Sequence, residues 1–253
     1  MEEYKSLFII YSIGLSFVLF LSLTTYYYIS KYPISPKIKY GNYIFACTLI
    51  FYITSILYLS FGKMLALHHY VDFATHLEIL WRFSNGLGLT TLMSEDYHDG
   101  SHWFAAHFTP IIYFTYAPIF KIFPYPQTIP IAQTIFLLSS LIPLWLISKK
   151  YVDDNLSKIF LSSFLFYPTI FYTNLYGIAY IELSIPLFLW LFYFFEEKNN
   201  LAFILILILV LMTREEVSLV TLFFGLWVIF KKKYFLGVIT FLISLAYFYF
   251  ALF

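Results

Sequence analysis

One cysteine, Cys47, stands in 253 residues, so no internal disulfide can staple this chain, and cysteine usage leaves its redox compartment undecided. Charge is scarce as well. Asp, Glu, Lys and Arg make up 11% of the residues, against 61% hydrophobic and 24% aromatic. Soluble domains carry about 25% charged residues, so that class is excluded. Nor is there an excess of one sign: 15 basic and 14 acidic side chains leave a net +1, which gives no reason to expect nucleic acid as a partner. The first apolar run, 7–29, has no small-residue cleavage site and is too long for a signal-peptide core, so it reads as a retained helix.

What is present is hydrophobic length. The mean hydropathy is +0.80, and several runs reach the roughly 20 residues that a bilayer requires. The pattern predicts an all-α polytopic membrane protein, one transmembrane domain over 1–253, with about eight spans near 7–29, 43–62, 127–148, 156–174, 178–195, 200–213, 216–230 and 234–253. The stretch 103–123 is interrupted by Pro110, Pro118 and Pro124 and carries His107 and Lys121. Read as interfacial or re-entrant helices broken near Pro118, it leaves a large extracytoplasmic loop at 63–126. Ten of the 15 basic residues then fall inside (Lys31, Lys37, Lys39, Lys149, Lys150, Lys158, Lys198 and Lys231 to Lys233), and ten of the 14 acids fall outside. That segregation is what the positive-inside rule expects.

All six histidines, His68, His69, His76, His98, His102 and His107, lie between Lys63 and His107, with Asp72, Glu78, Glu95, Asp96 and Asp99. Within this window Phe73, Leu77, Leu80 and Trp81 recur at helical spacing, so 72–82 reads as a short amphipathic helix lying in the membrane interface and stopping at Asn85-Gly86. Asp72 would open it, either as an N-cap or as a carboxylate facing a lipid-borne substrate. His69, Asp72 and His76 share a helical face, a generic N/O ligand pattern that makes them weak candidates for a divalent metal. Interfacial histidines hydrogen-bonded to head groups are the plainer reading.

Two later positions stand out. Glu182 follows the turn signal Asn174-Leu-Tyr-Gly177. Arg214-Glu215-Glu216 follows an apolar run of only 12 residues, 201–212, which as helix is about 18 Å long and leaves the triplet at the membrane boundary. A plain interhelical turn with Arg214 paired to a neighbouring glutamate is one reading. Three charges at hydrocarbon depth more often belong to a site.

His69-Tyr-Val-Asp72-Phe-Ala-Thr-His-Leu-Glu-Ile-Leu-Trp81, Asn85-Gly86, His107-Phe-Thr-Pro110, Ala117-Pro-Ile-Phe-Lys-Ile-Phe-Pro124, Pro126 and Gln133 together resemble a prokaryotic membrane family catalogued as domain of unknown function 2079. Arg214-Glu215-Glu216 looks like the counterpart of that family's Lys-Glu-Asp triplet, and the resemblance covers about 65–230. The family is similar in plan to the GT-C glycosyltransferases, multispan enzymes that take sugar from a polyprenyl-phosphate donor at the outer face, with a catalytic acid opening the first outer loop. The resemblance implies Asp72 as catalytic acid or base, and His107, Glu182, Arg214, Glu215 and Glu216 as substrate-binding residues. Two departures accompany it. Gly177-Ile-Ala-Tyr-Ile-Glu182 keeps only the glutamate where relatives have Asp-Phe-His-Pro. The chain also reads as a shortened member with an added first helix, ending at Phe253 within an apolar run.

The expected function is therefore GT-C-like glycosyl transfer from a polyprenyl-phosphate sugar in the cell membrane. The alternatives are a non-catalytic or truncated polyprenyl-lipid-binding subunit working with a partner membrane subunit, or a metal or lipid carrier. A carrier is expected to show inverted repeats or mid-span charges, and neither is visible.

Overall fold

The computed structural model describes residues 40–66, 71–90, 107–178 and 180–252, all helices and their connections, with no strand among them. The expected span at 7–29 and the residues His68, His69, Glu95, Asp96, His98, Asp99 and His102 lie outside this set. Eleven α-helices are described: α1 (Gly41–Leu65), α2 (Val71–Ser84), α3 (Tyr116–Ile122), α4 (Thr128–Ser139), α5 (Leu141–Ser148), α6 (Asp154–Leu165), α7 (Pro168–Tyr176), α8 (Ser184–Glu196), α9 (Asn200–Leu211), α10 (Val217–Phe230) and α11 (Tyr234–Leu252). Short 3-10 turns stand at Pro110–Phe114 and Ile181–Leu183. Among the described residues three stretches, Gly41–Leu65, Thr128–Ser148 and Tyr234–Ala251, are long and apolar enough to cross a membrane.

Prolines account for most departures from the expected spans. The run 156–174 is two helices rather than one. Tyr167, ahead of Pro168, is forced to extended backbone (φ −64, ψ 121), so α6 ends and α7 restarts with proline in its first turn. Pro143 has no N–H for the carbonyl of Ser139, and the long helix hesitates there between α4 and α5. The described part of the expected segment 103–123, residues 107–123, is not one straight helix, and its break is at Thr115 (φ −124, ψ −96), three residues before Pro118. Pro118 sits in the first turn of α3, where a missing N–H costs nothing.

Between helices the turns are tight. Gly86 (φ +78), Lys198 (φ +58) and Lys232 (φ +61) each occupy the left-handed position after a helix. The following amide reaches back five residues in each case: Leu87 N to Arg82 O, Asn199 N to Phe194 O, and Lys233 N to Val228 O. This double-turn closure satisfies orphan carbonyls at the helix end, and the Asn85-Gly86 stop lies where the sequence places it. Asp153 caps α6 through the amides of Asn155 and Leu156, and Asn199 caps α9 through that of Ala202.

Helices α10 and α11 approach backbone to backbone. A Cβ on Gly237 would lie 2.8 Å from the carbonyl oxygen of Gly225 and 2.8 Å from the amide nitrogen of Ile229. Thr221 and Ser244 bond across the same crossing at 2.8 Å. Small residues at such crossings let main chains touch where there is no hydrophobic force between helices. Gly237→Val should therefore cost about 3 kcal/mol or more, because the clash is with main chain that cannot step aside. The check is folded yield by size exclusion in detergent, and a variant that elutes as wild type does would sink the argument.

Charge sorts to the two ends of the bundle. At one end Lys150 bonds Glu197 at 2.6 Å, and Trp145 donates to Asp154, which also holds Lys149 and Lys158; Lys158 reaches Asn42 at the start of α1. At the other end of α1, about 32 Å away by helical rise, Lys63 donates to the carbonyl of Leu175. The residues singled out from the sequence gather at this second end.

Candidate functional site

Helix α2 packs on α3, burying Phe73, Thr75, His76, Ile79 and Leu80. The expected apolar face was Phe73, Leu77, Leu80 and Trp81, with His76 on the polar side. His76 instead points inward, its ring 4.9 Å from that of Tyr180, while Trp81 is half-exposed. The partner that decides this comes from more than a hundred residues downstream. Burial, with the positive charges of His107 and Arg214 nearby, pushes the His76 pKa down to about 3, so it is a neutral imidazole at physiological pH.

Asp72 lies within the first turn of α2 rather than ahead of it. Its Oδ2 accepts a hydrogen bond from the hydroxyl of Tyr176 at 2.9 Å. Tyr176 ends α7, and this end is held by side chains from elsewhere: Gln133 Nε2 donates to the carbonyls of Thr173 (2.9 Å) and Gly177 (3.0 Å), beside the Lys63 contact to Leu175. The helix then breaks at Gly177, whose φ of +116 no residue with a Cβ adopts readily. Tyr180, at φ +62, continues the strained passage and delivers Glu182 into the interior. Glu182 is buried, and the hydroxyl of Tyr116 donates to its Oε1 at 2.8 Å. Burial, together with the Glu182 charge, raises the pKa values of Tyr116 and Tyr180 well above the usual phenol, so both stay protonated.

Arg214, Glu215 and Glu216 form the turn between α9 and α10. Glu215 clamps the incoming segment: its Oε1 meets His107 Nδ1 at 2.8 Å and its Oε2 accepts the amide of Phe108 at 3.1 Å. Burial alone would raise the Glu215 pKa; the His107 hydrogen bond and the nearby charges outweigh it and hold the carboxyl below its usual range. Arg214 Nη2 lies 3.0 Å from Glu216 Oε1 and 3.1 and 3.5 Å from the two ring nitrogens of His107. One nitrogen cannot both donate to Glu215 and accept from Arg214. Nδ1 donates to the Glu215 carboxylate, so the Arg214 approach to that nitrogen is a close contact and not a second hydrogen bond. Arg214 Nε is buried without a hydrogen-bond partner among the described residues.

Tyr172, Tyr176, Gly177, Ile181, Glu182 and Arg214 line one cleft of about 570 Å³. The structure thus brings Glu182 and Arg214 to a common wall and ties Asp72 to it through Tyr176. His107, Glu215 and Glu216 stand behind Arg214 as its neighbours. Tyr116, Tyr176 and Tyr180 were not singled out from the sequence, where 24 tyrosines drown any single one. The Gly177 turn signal is the feature that points to Tyr176.

Of the weak metal candidates His69, Asp72 and His76, only the last two are among the described residues. Asp72 reaches out to Tyr176 while His76 is buried against Tyr180, and His69 lies outside the described residues. No group of three His, Cys, Asp or Glu side chains suited to a metal ion occurs among the described residues.

No curated protein and no solved structure is significantly similar to this sequence. Residues 64–252, most of the chain, match a family described as predicted membrane protein (DUF2079), and the chain belongs to that family.

Proposed function

We propose that this protein is a GT-C-like membrane glycosyltransferase that takes sugar from a polyprenyl-phosphate donor at the extracytoplasmic face. The observation that carries the reading is the shared cleft: a guanidinium and a buried carboxylate on its wall, and an acid held beside it by a wall tyrosine. Arg214 binds a phosphate oxygen, the pairing for which guanidinium geometry is suited. Glu182, fixed by Tyr116, accepts from sugar hydroxyls. Asp72 removes the proton of the acceptor hydroxyl as its oxygen attacks the anomeric carbon. The new glycosidic C–O bond forms, the bond from anomeric carbon to phosphate oxygen breaks, and the polyprenyl phosphate leaves with the electron pair. The proton passes from Asp72 to water. Placing base, acceptor and leaving group in one pocket supplies much of what such a step needs.

The membrane arrangement belongs to the same proposal. With the three long apolar helices, the expected span at 7–29, the α6–α7 pair, and α8, α9 and α10 singly make eight crossings, and the Lys149, Lys150 and Lys158 end faces the cytoplasm. Cysteine at Ser101 should react with an impermeant maleimide in intact cells and cysteine at Lys232 should not; the reverse labelling would invert the orientation. A divalent metal and a partner membrane subunit are compatible additions, neither required by the step above.

The functional test is photo-crosslinking and transfer with a radiolabelled, diazirine-bearing polyprenyl-phosphate sugar and full-length protein in nanodiscs. Labelling near Arg214 together with consumption of the donor is expected. Labelling without consumption would favour a lipid-binding subunit, and the absence of both would remove the polyprenyl-phosphate reading.

A further inference from the structure

At the end of the bundle marked by Lys150 and Glu197, positive charge outruns negative. The acids there are engaged: Glu197 holds Lys150, Asp154 holds Lys149 and Lys158, Asp153 caps α6, and Glu196 accepts from Tyr151 at 3.4 Å. Lys198 in the α8–α9 turn and Lys231, Lys232 and Lys233 in the α10–α11 turn are exposed, and none is paired with a carboxylate among the described residues. The two turns are neighbours. Trp227, in the last turn of α10, has its ring 5.1 Å from that of Phe195, in the last turn of α8, and Lys231 Nζ stands 5.4 Å over the same indole.

Two of these lysines sit where the backbone favours glycine. Lys198 (φ +58) and Lys232 (φ +61) hold the left-handed closing positions of their turns. A side chain there strains the main chain, and such strain collects where ligands are held. Two adjacent turns thus present a cation at the closing residue against local preference. The depth of the patch selects the partner. Lys233 immediately precedes α11, a stretch long and apolar enough to cross a membrane. Phe230 and Phe235, flanking the lysines, are 84% and 77% exposed, which suits the acyl boundary of a bilayer better than water. A free phosphate ion would satisfy the lysines and leave these rings uncovered. We infer that the α8–α9 and α10–α11 turns together form a binding surface for an anionic glycerophospholipid, its phosphodiester against Lys198 and Lys231 to Lys233 and its acyl chains along Phe230 and Phe235. Clustered basic groups at a membrane boundary attract such headgroups, each lysine adding to the effect. A zwitterionic headgroup brings its own cation to the patch and gains much less.

The surface lies apart from the cleft of Glu182 and Arg214 and does not rest on glycosyl transfer. Its test is lipid binding by full-length protein in detergent, titrated with dioleoylphosphatidylglycerol or dioleoylphosphatidylcholine and read by native mass spectrometry. The anionic lipid should bind about 10-fold more tightly or better. Lys198→Gly combined with Lys232→Gly should lower its affinity roughly 30-fold, the scale of two lysines beside an anionic headgroup, and leave the zwitterionic lipid near wild type. Glycine suits both backbone positions, so this variant keeps the fold, which thermal unfolding checks. Lys231→Gln combined with Lys233→Gln leaves both closing residues in place and should lower the affinity similarly. Lys121→Gln, at an exposed lysine outside the patch, should change nothing. Equal affinity for the two lipids, an unchanged preference in both lysine pairs, or a comparable loss in Lys121→Gln would each overturn the assignment. Loss of farnesyl phosphate binding in the lysine pairs, with phosphatidylglycerol binding intact, would give the patch to the polyprenyl-phosphate lipid instead. Hexaglutamate binding that the lysine pairs lose, without any preference between the lipids, would make it a protein-docking surface; either result also overturns the assignment.

Discussion

Asp72→Asn should lower glycosyl transfer by roughly 10²- to 10⁴-fold, the range that a positioned general base contributes, while donor binding stays near wild type. Asparagine keeps the shape and can still accept from Tyr176, so the substitution removes basicity more than structure. Arg214→Ala should do the opposite, weakening donor binding by about 10- to 100-fold through loss of charge-assisted hydrogen bonds. Arg214 also touches Glu216 and the His107 ring, so Arg214→Lys is the informative companion: it keeps the charge but loses the planar fork. Tyr176→Phe releases Asp72 from its hydroxyl donor and should reduce turnover with little change in donor affinity. The measurement is the split between crosslinking affinity and turnover across the four variants. Full transfer by Asp72→Asn would place the base elsewhere and sink the role given to Asp72.

The second large effect is one of acid stability. His76 is neutral in the folded protein down to a pKa of about 3, whereas the unfolded chain protonates it at its ordinary value of 6.5. Below pH 6.5 the unfolded state binds a proton that the folded state refuses, so stability is present above that pH and is lost as pH falls toward 3. Between pH 6.5 and 4.5 the loss should amount to about 2–3 kcal/mol, or roughly 5–10 °C in Tm. Glu215 works in a lower window. Its folded pKa is depressed, so its contribution is present above the ordinary glutamate value and declines as pH falls through the folded pKa. Between pH 6.5 and pH 4.5 Glu215 therefore contributes little. His76→Phe keeps a ring against Tyr180 and should flatten that limb of the curve. Parallel pH profiles for wild type and His76→Phe would show that another group controls acid stability.

How much of this could be read from the residues follows a physical line. Local signals served well where the physics is local: α2 and its stop at Gly86 follow from periodicity and the need for a positive φ. The short run before Arg214 marked the α9–α10 turn because helix length is set by counting. On α2, Phe73, Leu77 and Leu80 pack inward as expected, but Trp81 and His76 do not keep their expected sides, because a hydrophobic stripe cannot reveal that Tyr180 would arrive to cover a histidine. The break at Thr115 was set three residues late for a related reason, since proline is harmless in a first turn. Asp72 was legible as a candidate and Tyr176 was not, because a carboxylate is rare in this composition and a tyrosine is common.

The clamp from Glu215 to His107 joins positions 108 apart in sequence, and that has a consequence for how the protein is made. During synthesis the chain emerges in order, so Asp72, His107 and Tyr176 are all in place before the residue that completes their neighbourhood exists. Closing so long a loop carries an entropic cost that only the finished contacts repay. A nascent chain that stops short of Arg214 therefore lacks the cleft's guanidinium and the clamp on His107. The cleft's chemistry would switch on in one late event, when the α9–α10 turn reaches the membrane boundary and captures the amide of Phe108.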